Sequence, residues 1–320
     1  MRSSIFNMIE SHTVIGGPLP RRVEEGFTLP EGNTKWAPGA VDGISVYHMV
    51  PYTPDDKDME KIARAAFAAG SGDREAAEEA ILTLTKENGT VRIAPALRRY
   101  IADHVSEIDT EALFRTSVNL MYESAHIECV KMGMALLELF RFSEEDVRNI
   151  VRILGAYDEF TLFAVRLMLK WENGSGEIFR LAKVVRGWGR IHAVNYLEPE
   201  TDEIRRWLLT DGARNTVLPA YSASVCWDRS QAEKILFAGP TPEEFAAIGF
   251  LINALLDEGP VTGISGIENA ESILTRFLDL AKPFALVDTD PALLEHIRVW
   301  AEEHRMPDIA DLSMKRLTGD

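Results

Sequence analysis

Two residues with chemically useful side chains stand three positions apart near the middle of the 320-residue chain. Glu123 and His126 have the i,i+3 spacing that places a carboxylate and an imidazole on one helix face, as in di-iron helix bundles. Those centres need a second copy of the motif and two more glutamates, and no other histidine here follows a glutamate by three positions. We therefore expect no metal. Glu123 and His126 remain candidate binding residues, with a hydrogen bond or ion pair within the helix as the alternative.

A second group of candidate binding residues forms a row of aromatic and polar side chains. Trp188, His192 and Asn195 are spaced i, i+4 and i+7, so a helix places them on one stripe. The adjacent stripe is apolar and consists of Ile191, Val194 and Leu197. Aromatic anchors flanked by hydrogen-bonding groups are typical of binding surfaces. The alternative is packing between helices, with the polar groups of the stripe bonded to neighbouring carbonyls.

Three further polar residues close to this stripe in sequence are candidates for anion recognition. Arg190, Arg214 and Asn215 could together form an anion-binding edge, because guanidinium groups bind carboxylates and phosphates in a bidentate manner. The chain contains no Gly-x-Ser-x-Gly motif, and the glycines of residues 259–266 are not followed by the Lys-Ser/Thr of a phosphate-binding loop. We identify no catalytic residues and expect no cofactor.

The composition narrows the possible partners and locations. A net charge of −16 repels phosphate backbones and anionic lipids, so nucleic acid and membrane surfaces are disfavoured. No apolar run approaches the roughly 18 residues that cross a bilayer, and residues 1–10 lack the features of a secretory signal. Cys129 and Cys226 lie in apolar stretches and predict buried thiols. We expect a cytoplasmic protein, and the sequence does not determine its oligomeric state.

The elements that must position these residues are predicted from a recurring apolar pattern. Three similar quartets end at Val130, Val165 and Val194, 35 and 29 residues apart. Each quartet is followed by a second apolar segment of helical period, and these segments close on Gly155, Gly187 and Gly212. Self-similar helix pairs at a period of roughly 30 to 45 residues indicate an α-solenoid. The sequence therefore predicts an all-α, right-handed solenoid of helical hairpins, clearest over residues 117–240.

The chain is predicted to contain an N-terminal arm and a helical repeat domain. Residues 1–55 are dense in Gly and Pro, which disfavours helix, and residues 43–50 alternate like a short strand. We expect this arm to be extended and to pack on the helical domain of residues 56–320. Within that domain, Asp73 and Thr241 are predicted to cap the starts of helices.

One segment of the chain resembles a known repeat family. The eight residues Arg190 to Leu197 (RIHAVNYL) are similar to the first-helix signature of HEAT-type repeats. The resemblance covers residues 117–240, and the period is shorter than the ~40 to 47 residues usual for that family. It implies an α-solenoid that holds other macromolecules on a curved surface. The favoured hypothesis is accordingly a scaffold or adaptor that binds a partner protein or peptide, since the sequence shows no complete catalytic set.

HEAT-like folds also include DNA glycosylases, which place Trp, Asp and Arg side chains on the concave face. Trp188, Arg190, Trp207 and Asp211 supply these residue types. Duplex-binding enzymes need a basic track, and the acidic charge of this chain disfavours one. Nucleic-acid binding is therefore the third hypothesis.

A fainter resemblance links two separate segments. Residues 36–43 (WAPGAVDG) together with residues 187–192 (GWGRIH) are similar to an uncharacterised bacterial family, some members of which carry a limonene hydroxylase label. The chain shows no flavin, haem or nicotinamide signature that would support the label. The second hypothesis is nevertheless an enzyme or small-molecule binder, with a pocket near Trp188 and His192 beneath the N-terminal arm.

Overall fold

The computed structural model describes residues 3–14, 22–30, 35–281 and 290–319. Part of the predicted Gly/Pro-rich arm, residues 15–21 and 31–34, lies outside these described residues. Apart from one two-stranded antiparallel ribbon, the regular structure of the described residues is helical, which confirms the all-α class. No helix in these ranges is both long enough and apolar enough to cross a membrane.

The chain divides into two compact units, Met1–Tyr196 and Leu197–Asp320. The described elements of the first unit are α1 (Ile5–Ser11), β1 (Thr13–Val14), β2 (Arg22–Val23), α2 (Ala40–His48), α3 (Asp56–Gly70), α4 (Arg74–Thr85), α5 (Gly89–Asp103), α6 (Thr110–Glu123), α7 (Ile127–Leu137), α8 (Glu145–Gly155), α9 (Asp158–Met168), α10 (Gly174–Ala182) and α11 (Trp188–Tyr196). In the second unit they are α12 (Asp202–Trp207), which continues into a π-helical turn (Leu208–Gly212), α13 (Ala220–Ser230), α14 (Ala232–Ala238), α15 (Pro242–Leu256), a 3-10 turn (Ile264–Gly266), α16 (Ala270–Leu280), α17 (Pro291–Glu303) and α18 (Pro307–Thr318).

The helices of the first unit pack as consecutive pairs. Helix α3 packs on α4, α6 on α7, α8 on α9, and α10 on α11. The second helices of these pairs also contact one another in the order α4, α7, α9 and α11. The three predicted quartets lie on α7, α9 and α11, and Val130, Val165 and Val194 are fully buried. Each quartet therefore belongs to the second helix of a packed pair, not to the first as the sequence pattern indicated.

Two predicted helix starts are confirmed by their caps. The Asp73 side chain accepts a hydrogen bond from the Ala76 amide at the start of α4. Thr241 and Glu244 form a reciprocal capping box at the start of α15. These side chains satisfy amides that have no partner within the helix, which explains why the local sequence marks the helix boundary.

The predicted strand over residues 43–50 is wrong. Residues Ala40–His48 form helix α2, which begins after Gly39 in the left-handed conformation and ends before extended Met49. Helix α1 also interrupts the predicted extended arm, with Ser4 as its cap. Strand propensity is a weak local preference, and the burial of Asp42 and Gly43 on one side of α2 overrides it here.

The second unit is built on its own apolar core. Helix α15 is buried along most of its length and packs on α13 and α17. Its Phe245 stacks on Phe277 of α16, with ring centroids 4.6 Å apart. This unit contains two of the candidate residues, Arg214 and Asn215.

Candidate functional site

A buried lysine surrounded by carboxylates is the most unusual polar feature of the first unit. The Lys131 side chain on α7 is only 2% exposed. Its Nζ lies 2.7 Å from Asp42 Oδ2, 2.5 Å from Glu159 Oε1 and 3.5 Å from Glu128 Oε1. Three carboxylates therefore share one ammonium, and the cluster carries an excess of negative charge when all four groups are ionised.

Each carboxylate comes from a defined helical position. Asp42 lies in the first turn of α2, Glu128 in the first turn of α7, and Glu159 in the first turn of α9. Acidic side chains are favoured there by the helix dipole. Glu159 Oε2 also accepts the Gly39 amide at 2.7 Å, and Glu128 Oε2 accepts the Thr90 amide at 2.6 Å. The cluster thus ties α2, α5, α7 and α9 together.

Burial and neighbouring charges shift the pKa values of Asp42 and Lys131 in opposite directions. Burial raises the pKa of Asp42 to about 6, although the Lys131 ammonium favours its ionised form. Burial alone would lower the pKa of Lys131, but the charges of Asp42, Glu159 and Glu128 outweigh that effect and raise it. Lys131 is therefore an ammonium at neutral pH. A protonated amine cannot act as a nucleophile, so the lysine serves as a counter-ion.

An open cavity of about 610 Å³ lies against the cluster. Its wall comes from α2, the turn between α4 and α5, and the starts of α5, α7 and α9. Asp42, Glu128, Lys131 and Glu159 all line it, and His126 lies on the same wall. The volume is within the 300 to 1,000 Å³ typical of small-molecule sites.

The aromatic stripe predicted on α11 exists, but it is covered by α2. Trp188 and His192 are buried. The Tyr47 ring of α2 is stacked on His192, with centroids 5.9 Å apart, and its hydroxyl accepts a hydrogen bond from the Asn195 side-chain amide. A Cβ added to Gly43 would lie 2.2 Å from the Trp188 ring, so α2 can approach only because this residue is glycine. The stripe is a packing face in this structure.

The two segments that carry the bacterial-family resemblance meet at this contact. Gly39 and Gly43 of the first segment touch Trp188 of the second. The Asp158 carboxylate accepts the Gly187 amide at 3.1 Å, and burial raises the pKa of Asp158 to about 6. Gly39, Gly43 and Trp188 are thus explained by the packing of the first segment on the second.

His192 is a buried polar group at the centre of this contact. Neither ring nitrogen has a hydrogen-bond partner among the described residues. Burial lowers the pKa of His192 to about 3, and the positive charges of Arg166 and Lys131 act in the same direction. The imidazole is therefore neutral in the folded protein, while in the unfolded chain it binds a proton near pH 6.5.

Replacing His192 by Phe should flatten the acid dependence of stability. The unfolded chain takes up a proton on His192 as pH falls through 6.5, and the folded protein does not. The wild type therefore loses about 2 kcal/mol of unfolding free energy between pH 7 and pH 5 through this group alone. Urea unfolding of both proteins at the two pH values measures the difference. Parallel losses in the wild type and His192→Phe would contradict the assignment.

The remaining predicted residues serve local structure. Arg190 is buried and donates to the Ala182 carbonyl at 3.0 Å, in the first unit. In the second unit, the Arg214 guanidinium lies 4.0 Å from the Phe250 ring centroid. The Asn215 side chain accepts the amides of residues 217 and 218 and so stabilises the turn before α13. Each of the three residues is therefore engaged by neighbours within its own unit.

The predicted shared helix face of Glu123 and His126 is wrong. Helix α6 ends at Glu123, Ser124 is extended, and His126 is the residue before α7. Glu123 instead pairs with Arg74, at 3.2 Å between Oε2 and Nε. No group of three or more His, Cys, Asp or Glu side chains in the described ranges is arranged to hold a metal ion.

Sequence reasoning missed the lysine cluster. One signal for Lys131 was present, because it is the only charged residue in the otherwise apolar run of residues 129–137. A lysine on an apolar helix face is rarely buried unless it is paired. Its partners Asp42 and Glu159 are distant in sequence, so no local motif connects them.

Comparison with known proteins supplies no relative from which a role could be transferred: no family model, curated protein or solved structure matches the chain.

Proposed function

We propose that the protein binds a small organic molecule in the cavity beside Lys131. The observation that carries the proposal is an open space of about 610 Å³ whose wall holds three fixed carboxylates around one buried ammonium. Ligand sites combine such a concavity with a few precisely placed polar groups. Residues of α2 line this cavity, whereas Trp188 and His192, the residues named in the small-molecule hypothesis, do not.

Binding is proposed here without a catalytic step. Both Glu159 oxygens are already occupied, one by Lys131 and the other by the Gly39 amide. Asp42 is buried against the same ammonium. Both Glu128 oxygens are engaged as well, one at 3.5 Å from Lys131 and the other by the Thr90 amide, but its side chain is 31% exposed against 18% for Glu159. Glu128 is therefore the carboxylate that is best placed to contact a ligand.

A ligand screen by thermal shift tests this proposal. Molecules that raise the melting temperature of the wild type should bind Glu128→Gln about tenfold more weakly, because a charge-assisted hydrogen bond contributes roughly 1.5–3 kcal/mol. Ser45→Trp, which fills the cavity from α2, should abolish binding. Glu172→Gln, an exposed residue outside the cavity lining, is the matched control and should bind as the wild type does. A diverse screen without any ligand, or ligands that bind Ser45→Trp normally, would refute the proposal.

We also propose that the helix pairs of the first unit form a HEAT-like solenoid that holds a partner protein or peptide on its curved surface. The support is the side-by-side packing of α4, α7, α9 and α11, with α3, α6 and α8 in contact behind them. Affinity capture with the full chain, followed by cross-linking, should place a partner on this unit. A partner that cross-links to the second unit alone would count against this function.

A further inference from the structure

A second cavity of about 480 Å³ adjoins the first. Both cavities are lined by Val41, Ile127 and Glu159, so these three residues form the partition between them. The remaining wall of the second cavity is formed by Thr28, Leu29, Lys35, Trp36, Ala37, Pro38 and Tyr157, and the Lys35 side chain already takes part in another interaction. Val41 is 48% exposed, so a ligand that lies over it contacts the lining of both cavities.

Large apolar side chains are exposed along this path. Trp36 is 54% exposed in the second cavity, Met49 is 43% exposed in the first, and Val41, at 48%, lines both. Single exposed apolar residues are common on protein surfaces, but a group of them that lines one concave path indicates an apolar ligand or partner.

The opposite end of the path is anionic. The deep wall of the first cavity carries three carboxylates against one ammonium, and that ammonium is enclosed by them. Arg92 also lines this cavity and keeps its positive charge, with its guanidinium packed over the Tyr52 ring at 5.1 Å. Lys86 and Glu87 on the rim offset each other in charge. Four carboxylates (Asp42, Glu87, Glu128 and Glu159) line the first cavity against three cations (Lys86, Arg92 and Lys131), so the lining carries an excess of one negative charge, and Glu128 is its exposed carboxylate in the cluster.

We propose that the ligand is an organic cation with an apolar body. Its ammonium group binds at Glu128 in the first cavity, and its body crosses Val41 and packs on Trp36 in the second. This inference rests on the proposed small-molecule function and specifies the chemical class. It differs from that function in requiring the second cavity and a positive charge on the ligand.

Titration calorimetry of the full chain with four simple probes tests the class. Butylammonium and octylammonium carry the same charge and differ in the length of the apolar body. Octanoate and 1-octanol keep the body and change the head group. We expect octylammonium to bind at least about tenfold more tightly than butylammonium, because it buries additional methylene groups. Octanoate and 1-octanol should bind at least about tenfold more weakly than octylammonium.

Two variants test the contacts of the apolar body and of the ammonium group separately. Trp36→Ala should reduce the advantage of octylammonium over butylammonium to less than about threefold and leave butylammonium binding unchanged. Glu128→Gln should weaken both amines about tenfold. Phe67→Ala, another partly exposed aromatic residue that lines neither cavity, and Glu172→Gln are the matched controls.

The outcomes distinguish this inference from the function on which it rests. Octanoate binding as tight as octylammonium binding would overturn the cationic assignment, and an unchanged chain-length effect in Trp36→Ala would overturn the role of the second cavity. Neither result would affect a screened ligand whose binding is lost in Ser45→Trp, so the proposed function would stand. If neither the amines nor any screened molecule binds, both proposals fail.

Discussion

Lys131→Met is expected to lower the free energy of unfolding by about 3–5 kcal/mol, because it leaves buried carboxylates without their counter-ion. The methionine fits the space of the lysine stem, so the loss reports charge and not volume. Asp42 and Glu159 would then face each other across an apolar side chain, each within 2.7 Å of the former ammonium position. Urea unfolding followed by circular dichroism measures the effect.

The double variant Lys131→Met, Asp42→Asn separates pairing from packing. Removing the charge of Asp42 relieves part of the penalty that the lysine substitution creates, so the two changes together should cost less than the sum of the single changes. A coupling of at least about 1 kcal/mol is expected for groups in direct contact. Strictly additive effects would show that Asp42 and Lys131 do not interact, and the description of the cluster would be wrong.

Local signals were sufficient to predict the helical class and several helix boundaries. The caps at Asp73 and Thr241 are encoded within four residues, and the structure confirms both. The apolar period likewise places Val130, Val165 and Val194 in the core. Such features depend on neighbours along the chain, which a single sequence contains in full.

Contacts between residues that are distant in sequence could not be predicted, because no local pattern links the partners. Lys131 lies in the apolar α7, and nothing near it in sequence identifies Asp42 on α2 as a partner. The predicted shared helix face of Glu123 and His126 is wrong although the two residues are close in sequence. The spacing was right for a helix, but Ser124 is extended, so the helix stops between them.

The prediction for residues 43–50 shows how tertiary contact overrides local preference. Ile44, Val46 and Tyr47 favour strand, and the nearby prolines and glycines disfavour helix. Helix α2 forms because one of its faces is bound to the body through Asp42 and packed at Gly43 against Trp188. Gly39 supplies the positive φ of 77° that starts it. The glycines that argued against a helix are the residues that let it pack.

Trp188→Ala is expected to cost about 3–5 kcal/mol in unfolding free energy, since it removes a large buried ring and leaves a cavity under α2. Tyr47, which lies 6.1 Å from the Trp188 ring between centroids, loses its packing partner as well. Because α2 carries Asp42 and Ser45 to the cavity wall, ligand binding should also weaken. Urea unfolding and calorimetry with octylammonium measure the two effects separately.

Gly43→Ala provides the matched test of this contact. In the wild type its Cβ would lie 2.2 Å from the Trp188 ring, so α2 must shift at a cost of about 1–3 kcal/mol. In the Trp188→Ala background the ring is absent, and the added methyl group should cost less than about 0.5 kcal/mol or partly refill the cavity. An equal cost of Gly43→Ala in both backgrounds would mean that α2 does not rest on Trp188. Helix α2 carries Asp42 to its position beside Lys131. If α2 did not pack on Trp188, this contact would not be what holds Asp42 in the cavity wall.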